Sequence, residues 1–366
     1  MIFAYDLRYA CDHFAGIGKH AYTVFDEMLA LPGDERWHVL WDPRERNTRY
    51  DLAPFRAHPR VEWVERPWHP IRPSGAWQVG RWLRRTRPDA YLSPFSLRPL
   101  FSGVREVLTL HDVSAMRTSH IPSPLAYALY RGSLLHAIRA DAIVTVSEFS
   151  RSEILALLPV DPARVHAILE GVPRAEGDPP APVRPARLRS ERFALVVSDN
   201  RPRKNLEVLA KAWALPDGAP ALDLVGVGPV DERFPALEPR SAAAGRGAIE
   251  RLGWVSPGEL AWLMSHAEVL LLPSLYEGFG FPLVEAMAEG VPALVSDIPV
   301  FREVGADAPM FADAHDPRAW AAALARLLAE PAVRERMRER GRARAAELTY
   351  RKTAERTLEL LRRVAR

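Results

Sequence analysis

Short apolar runs alternate with helical patterns along most of the chain, and this alternation leaves few folds open. A short apolar run suffices for a buried strand. The amphipathic stretch after it makes a helix that must cover the sheet, and repetition of the pair builds parallel sheets clad in helices. Strands are expected in IFAYDL near residue 2, WHVLWD near 37, AYLSP near 90, EVLTLHD near 106 and AIVTVS near 142. GKHAYTVFDEMLAL and SPLAYALYRGSLLHAIRA read as helices between them. The series then breaks: residues 171 to 190, GVPRAEGDPPAPVRPARLRS, hold five prolines and two glycines, which sustain neither a helix nor a central strand. Beyond them the alternation resumes, with strands in RFALVVSD, ALDLVGVG, AEVLLLPS and VPALVSD. Helices are expected in KNLEVLAKAWAL, PGELAWLMSH, PLVEAMAEG, PRAWAAALARLLAE and TYRKTAERTLELLRRVAR.

The economical architecture is α/β, two doubly wound Rossmann-like domains facing a central cleft. Its expected parts are a first domain over 1–172, a linker over 173–190, a second domain over 191–345 and a last helix over 346–366. A chain of 366 residues is long enough for two such cores. Ligands of these sheets bind at the carboxyl ends of the strands, so the cleft is the default site.

Composition narrows the function classes. Apolar residues make up 48% and charged residues 26%, a globular balance that excludes disorder as the main state. The net charge of +3, spread among carboxylates, argues against a nucleic-acid partner. A lone Cys11 permits no intrachain disulfide and fits a reducing compartment. The start, MIFAYDLRYA, lacks the basic and apolar regions of a signal peptide, and no window reaches the ~18 apolar residues a spanning helix needs. A cytoplasmic protein is expected, with the inner face of the plasma membrane as a further place of contact.

The most informative segment is PSLYEGFGFPLVEAMAEGVPALVSDIP, residues 273 to 299. A strand ending at Leu272 delivers a loop, Tyr276 to Gly280, and then a helix opened by Pro282, a residue suited to the first helical position. Gly278 and Gly280, either side of Phe279, let the backbone approach a ligand, and the free amides at the helix start attract an anion. A diphosphate fits this turn, and Gly290 stops the helix. Two carboxylates flank the turn, Glu277 and Glu285. An arbitrary pair of this kind is usually solvated surface, but Glu277 is fixed at the mouth of an anion site, where accepting hydrogen bonds from sugar hydroxyls is the obvious purpose. A glycosidase pair is the rival reading. On one helix, eight residues would separate the two by roughly 12 Å, against the ~5–9.5 Å such pairs use.

EGFGFPLVE resembles the Glu-x7-Glu motif of retaining GT-B glycosyltransferases of family 4 (group 1), and the resemblance extends over nearly the whole chain. AGIGKHAYTVFDEM resembles the glycine-rich loop and helix of that family; TLHDVS its His-Asp strand end; ADAIVTVSEFSRSEI its domain-closing stretch. RPRKNLEVLAKAW resembles its phosphate-lysine loop, and LVGVGP and RLGWVSPGEL its nucleotide-side strands. The resemblance implies that Glu277 contacts hydroxyls of the transferred sugar and Glu285 the nucleotide ribose. It implies that Lys204 with Arg203 holds the diphosphate, and that His111 faces the donor sugar from the first domain. Gly16 and Gly18 would give the diphosphate room, Val255 would border the base, and the last helix would cross back to the first domain. No cofactor and no metal are implied; the nucleotide-sugar is a substrate.

Each assignment has an ordinary alternative. Surface lysines are usually solvated, yet only Lys19, Lys204, Lys211 and Lys352 are lysines among 49 cations, and Lys204 follows a strand beside arginines. A compact ammonium can approach two phosphate oxygens as a point charge. His111 could be a structural strand-end residue, its ring oriented by Asp112. Cys11, His13 and His20 match no common zinc spacing. The chain departs from the family at Ser198-Asp199-Asn200, where glycine is common before the lysine, so Arg201 or Arg203 must replace the usual arginine. It departs again at Ala15-Gly16, where the family has paired glycines.

Residues 60 to 88 combine Trp63, Trp68, Trp77 and Trp82 with many arginines. That mixture suits an anionic membrane interface, and equally a core helix with a basic outer face. The stretch YLSPFSLRPL followed by TLHDVS looks most like bacterial mannosyl- or rhamnosyltransferases of surface polysaccharide assembly. The reading is a metal-independent hexosyltransferase moving mannose or a related sugar from a GDP-sugar to a glycan or lipid-linked glycan. A UDP-sugar transferase, a nucleotide-sugar epimerase and a non-catalytic assembly subunit remain as alternatives.

Overall fold

Two separate parallel sheets form, and in both the strand order reverses once. The structure is a computed structural model that describes residues 1–117, 121, 123–172, 181–242 and 246–366. Residues 173–180 of the expected linker lie outside the described residues, and 181–190 form neither helix nor strand.

The first sheet opens with β1 (Ile2–Asp6), α1 (Ala15–Ala30), β2 (Arg36–Trp41), α2 (Ala53–Ala57), β3 (Val61–Glu65) and α3 (Pro73–Thr86). The chain then returns to the sheet centre with β4 (Ala90–Ser93), β5 (Arg105–Thr109), α4 (Ser114–Arg117), α5 (Pro124–Ala137), β6 (Ala142–Thr145), α6 (Glu148–Leu157) and β7 (Val165–Ala167). The sheet order is β3-β2-β1-β4-β5-β6-β7. Loops after β1 and β4 therefore leave in opposite directions and open a crevice at the carboxyl edge. The inner strands are buried on both faces, as their continuous apolar runs require.

The second sheet comprises β8 (Phe193–Val197), α7 (Leu206–Trp213), β9 (Asp223–Val227), β10 (Ile249–Gly253), α8 (Pro257–His266) and β11 (Val269–Leu272). It continues with α9 (Phe281–Glu289), β12 (Ala293–Ser296), α10 (Pro299–Gly305), β13 (Met310–Ala312), α11 (Pro317–Ala329) and α12 (Pro331–Glu347). Its order is β10-β9-β8-β11-β12-β13, so the reversal lies between β8 and β11. Trp213 and Trp320 fill the core between this sheet and helices α7 and α11.

The last helix, α13 (Tyr350–Ala365), does not belong to the second sheet. The chain divides into one unit of Met1–Gly171 with Tyr350–Arg366 and another of Val172–Thr349. α13 lays Ala354, Leu358 and Leu361 against the first unit, beside α1 and the strands β4 and β5. Arg362 pairs with the buried Glu35, and the Thr353 hydroxyl donates to the Leu169 carbonyl at 2.8 Å. The outgoing and returning segments run side by side: Val172 N–H donates to the Leu348 carbonyl at 3.0 Å, and Val172 bridges to Thr349 in parallel.

Three features differ from the sequence reading. The strands β3, β7 and β10 have no continuous apolar run and β13 has one of only three residues, and all four are sheet edges. The arginine-rich α12 buries only Val333, Met337, Gly341 and Ala345, a stripe one residue wide at a spacing of four, which leaves little periodic signal. The tryptophan-rich stretch 60–88 is not one surface. It divides into β3 and α3; Trp68 and Trp82 pack against the first core, while Trp77 is 48% exposed with the Arg81 guanidinium 5.6 Å from its ring centre.

Candidate active site

The reversal in the second sheet brings two loops together at its carboxyl edge, one after β8 and one after β11. The first ends in a short 3₁₀ turn, Pro202–Lys204, and Asn205 (φ +53°) swings the chain into α7. The Asn205 side-chain amide holds this bend by donating to the carbonyls of Pro273 (3.0 Å) and Ala314 (2.7 Å). Leu275 N–H donates to the Arg203 carbonyl at 2.7 Å, so the two loops are joined through backbone as well.

This frame sets Lys204 Nζ 2.6 Å from Glu277 Oε1 and Arg203 Nη1 3.3 Å from Glu277 Oε2. The Ser274 hydroxyl adds a third hydrogen bond to Glu277, at 2.7 Å. Glu277 is 9% exposed. Burial alone would raise its carboxyl pKa, but the Lys204 and Arg203 charges and the hydrogen bonds from Lys204 and Ser274 outweigh it and hold the group below the usual carboxylate range. The two cations keep 15% and 20% of their side chains exposed. An ammonium has three protons to donate, so Lys204 can serve Glu277 and still meet an anion.

Gly280 (φ +97°) is the N-cap of α9 and, having no side chain, caps the helix only through its backbone, its carbonyl accepting from Leu283 N–H at 3.0 Å. A Cβ on Gly280 would lie 2.7 Å from the Phe301 ring, which explains glycine there twice over. Gly278 is half-buried, whereas the Phe279 ring is buried and packs edge-on against Phe281 at 5.4 Å. Any ligand contact at Phe279 must therefore come from its backbone. Glu285 is half-buried in the second turn of α9, and Val255 sits half-buried in the loop after β10. Gly290 (φ +70°) ends α9 in the left-handed conformation.

In the place of the glycine expected before the lysine, Asn200 ties two loops together. Its amide donates to the Asp231 and Phe234 carbonyls at 2.9 and 2.8 Å, and its oxygen accepts from Asp231 N–H at 2.7 Å. Close backbone approach has moved to Gly228 (φ +134°), whose Cβ would meet the Ser198 carbonyl oxygen at 2.1 Å.

His111, Gly16 and Gly18 belong to the first unit. Gly16 and Gly18 both lie on α1. Gly16 faces open space, while a Cβ on Gly18 would meet the Tyr9 carbonyl oxygen at 2.8 Å, so packing within the unit already accounts for Gly18. His111 follows β5, and its Nε2 lies 3.0 Å from the Pro94 carbonyl oxygen. Its Nδ1 lies 3.3 Å from Glu170, a buried carboxylate that the sequence reading did not single out. Glu170 is an isolated acid just after a three-residue edge strand, and nothing in the spacing of His20, His111, Glu170 and Tyr350 announces that they meet. Cys11, His13 and His20 face different partners, namely Glu45, Phe14 and Glu170.

Comparison with known proteins places this geometry. The family described as glycosyl transferases group 1 matches residues 184–344, and glycosyltransferase family 4 matches residues 14–176. The O-antigen chain mannosyltransferase B of Escherichia coli is 30% identical over 321 residues, covering 84% of this chain and 82% of that protein. The O-antigen chain mannosyltransferase RfbU of Salmonella typhimurium is 28% identical over 221 residues, 60% of each chain. Among solved structures, WaaG, a glycosyltransferase involved in lipopolysaccharide biosynthesis, superposes with a TM-score of 0.67 at 16% identity, over 98% of this chain and 99% of its own. The chain belongs to the group 1 glycosyltransferases: it is a transferase on the GT-B fold, with a first unit of the family 4 type.

Proposed function

We propose that this glycosyltransferase moves a hexose, mannose or a related sugar, from a GDP-sugar to a glycan or lipid-linked glycan in surface polysaccharide assembly, with retention at the anomeric carbon. The observation that carries the proposal is the Lys204–Glu277–Arg203 cluster at the β8/β11 reversal, beside the glycine-led start of α9. Lys204, Arg203 and the α9 amides would bind the diphosphate and stabilise the charge that develops as it leaves. Glu277 would accept from sugar hydroxyls, Glu285 from the ribose, and Val255 would border the base. Gly16, Gly18 and His111 would face the donor from the first unit. Retention would follow from front-face substitution, with the leaving diphosphate taking the acceptor's proton. Two cationic side chains on the diphosphate would make a metal unnecessary. The mannosyltransferase names of the two bacterial relatives support mannose and an O-antigen-type glycan.

The test is a thermal-shift panel of GDP, UDP, ADP and dTDP, each with and without magnesium, followed by transfer from the matching sugar nucleotide and NMR of the product's anomeric centre. A nucleotide at a hundredfold excess over Kd adds about 2.7 kcal/mol of stability. A shift with GDP alone, unchanged by magnesium, supports the proposal. A shift with UDP alone replaces the donor, and release of an altered sugar without acceptor favours an epimerase. HepE of Anabaena, crystallised with UDP and glucose, shares the fold at a TM-score of 0.65 and 14% identity, which is why UDP belongs in the panel.

The proposal extends to peripheral contact with anionic membrane through α3, where Trp77 and the exposed Arg81, Arg84 and Arg85 face outward. No helix among the described residues is long and apolar enough to cross a membrane. Flotation with liposomes containing anionic lipid should carry the protein upward and neutral liposomes should not; equal behaviour would remove this part of the proposal.

A further inference from the structure

We propose that Glu170 is a positioning residue that holds His111 as a doubly protonated ring, and through it sets the upper pH limit of sugar transfer. Glu170 is 1% exposed and is the last residue but one before the chain leaves the first unit. One of its oxygens lies 3.3 Å from His111 Nδ1 and 3.4 Å from His20 Nδ1; the other accepts from the Tyr350 hydroxyl at 2.8 Å. The His20 and His111 rings meet edge to face, 4.9 Å between centres.

His111 Nε2 faces the Pro94 carbonyl, and Nδ1 faces the Glu170 carboxylate. The Pro94 carbonyl takes a proton from Nε2, and an unprotonated Nδ1 would bring an unshared electron pair within 3.3 Å of a buried carboxylate oxygen that has no other hydrogen-bond donor among the described residues, so the pair favours a ring protonated on both nitrogens. Four groups surround the ring, and His20 shares with it the same carboxylate oxygen. From α1 comes His20, from the segment after β7 Glu170, from α13 Tyr350 by way of Glu170, and from the strand end itself Asp112. Burial alone pushes the His111 pKa down, but the hydrogen bond and charge of Glu170, the Pro94 carbonyl and Asp112 more than reverse it, and the net shift is upward. Tyr350 and the Thr353–Leu169 hydrogen bond fix the carboxylate from the returning helix, so Glu170 is placed by both ends of the first unit.

The inference rests on the proposed place of His111 beside the donor, where a fixed positive ring would favour the departing diphosphate. The experiment measures kcat/KM against pH for the unmodified protein, Glu170→Gln, His111→Gln, the double variant and Tyr350→Phe. Glu170→Gln should move the alkaline limb to lower pH, with a loss of roughly tenfold at pH 8 and little at pH 6. The double variant should be no slower than His111→Gln alone, and Tyr350→Phe, which frees one carboxylate oxygen, should lower Tm and move the limb the same way by less. An equal loss at every pH, or additive losses in the double variant, would overturn the proposal. NMR titration of the His111 ring needs no donor. If the ring titrates alike with and without the Glu170 carboxylate, the proposal falls. If it titrates at lower pH in Glu170→Gln while no sugar nucleotide is turned over, the pairing stands and the donor assignment fails.

Discussion

Glu277 in the second unit and Glu170 in the first are buried carboxylates flanked by two nitrogen-bearing side chains, and the two clusters differ in what those side chains are. In the second unit Glu277 meets a lysine and an arginine, which stay charged at any physiological pH and keep part of their surface open. In the first unit Glu170 meets two histidines, with a tyrosine hydroxyl closing the other oxygen. The first arrangement is the proposed anion site. The second carries the His111 charge only while that ring is protonated. A shared geometry thus yields a permanent field in one place and a titratable one in the other.

The largest effect expected from breaking this contrast is at Lys204. Lys204→Ala should lower kcat by roughly 10²–10³-fold, as removal of a preorganised donor does, while Tm stays near that of the unmodified protein. Unchanged turnover would dissolve the second cluster as a phosphate grip. Next comes Gly280→Ala, where a left-handed backbone and the Phe301 ring both oppose a Cβ. A loss of about 1–2 kcal/mol in urea unfolding is expected, together with weaker nucleotide binding, because the start of α9 must shift.

The pH dependence of stability sharpens the comparison. Glu277 has a lowered pKa, so its contribution is full above the ordinary carboxylate value and disappears as pH falls through the lowered one. Across pH 6 to 9 the penalty of Glu277→Gln should be flat. His111 has a raised pKa, so the Glu170 pairing contributes fully below the ordinary histidine value and is lost as pH rises through the raised one. The Tm penalty of Glu170→Gln should therefore shrink over the same range; parallel curves for the two variants would erase the distinction. The smallest effect is at Tyr350→Phe, which removes one buried hydrogen bond to a carboxylate and should cost about 1.5 kcal/mol in urea unfolding at neutral pH.

How much of this was legible in the sequence follows from burial. Inner strands such as ALVV in β8 and VLLL in β11 are covered on both faces, so they read as apolar runs; VEWVE and IERLG are edges with a solvent side and do not. The cluster of Lys204 and Glu277 could be anticipated because each follows an unmistakable strand and a parallel sheet aligns strand ends. Glu170 could not. Its partners sit 150, 59 and 180 residues away, at His20, His111 and Tyr350, and only the closure of the first sheet and the return of α13 bring them together. The tryptophan-rich stretch left two readings open, and its rings, neighbours in sequence, divide between core and surface.

The return of α13 also has a consequence for how the protein is made. Strands β4 and β5 and helix α1 wait for a cover that is encoded after the whole second unit. At roughly 5–20 residues per second, a ribosome that has finished the first sheet needs on the order of ten to forty seconds more before that helix is translated. During this interval the nascent first unit presents an unfilled apolar seam to the cell, while the second unit, whose segments are contiguous, can fold as it emerges. A chain stalled before Tyr350 would carry a complete second half and an open first one, and should be a substrate for chaperones.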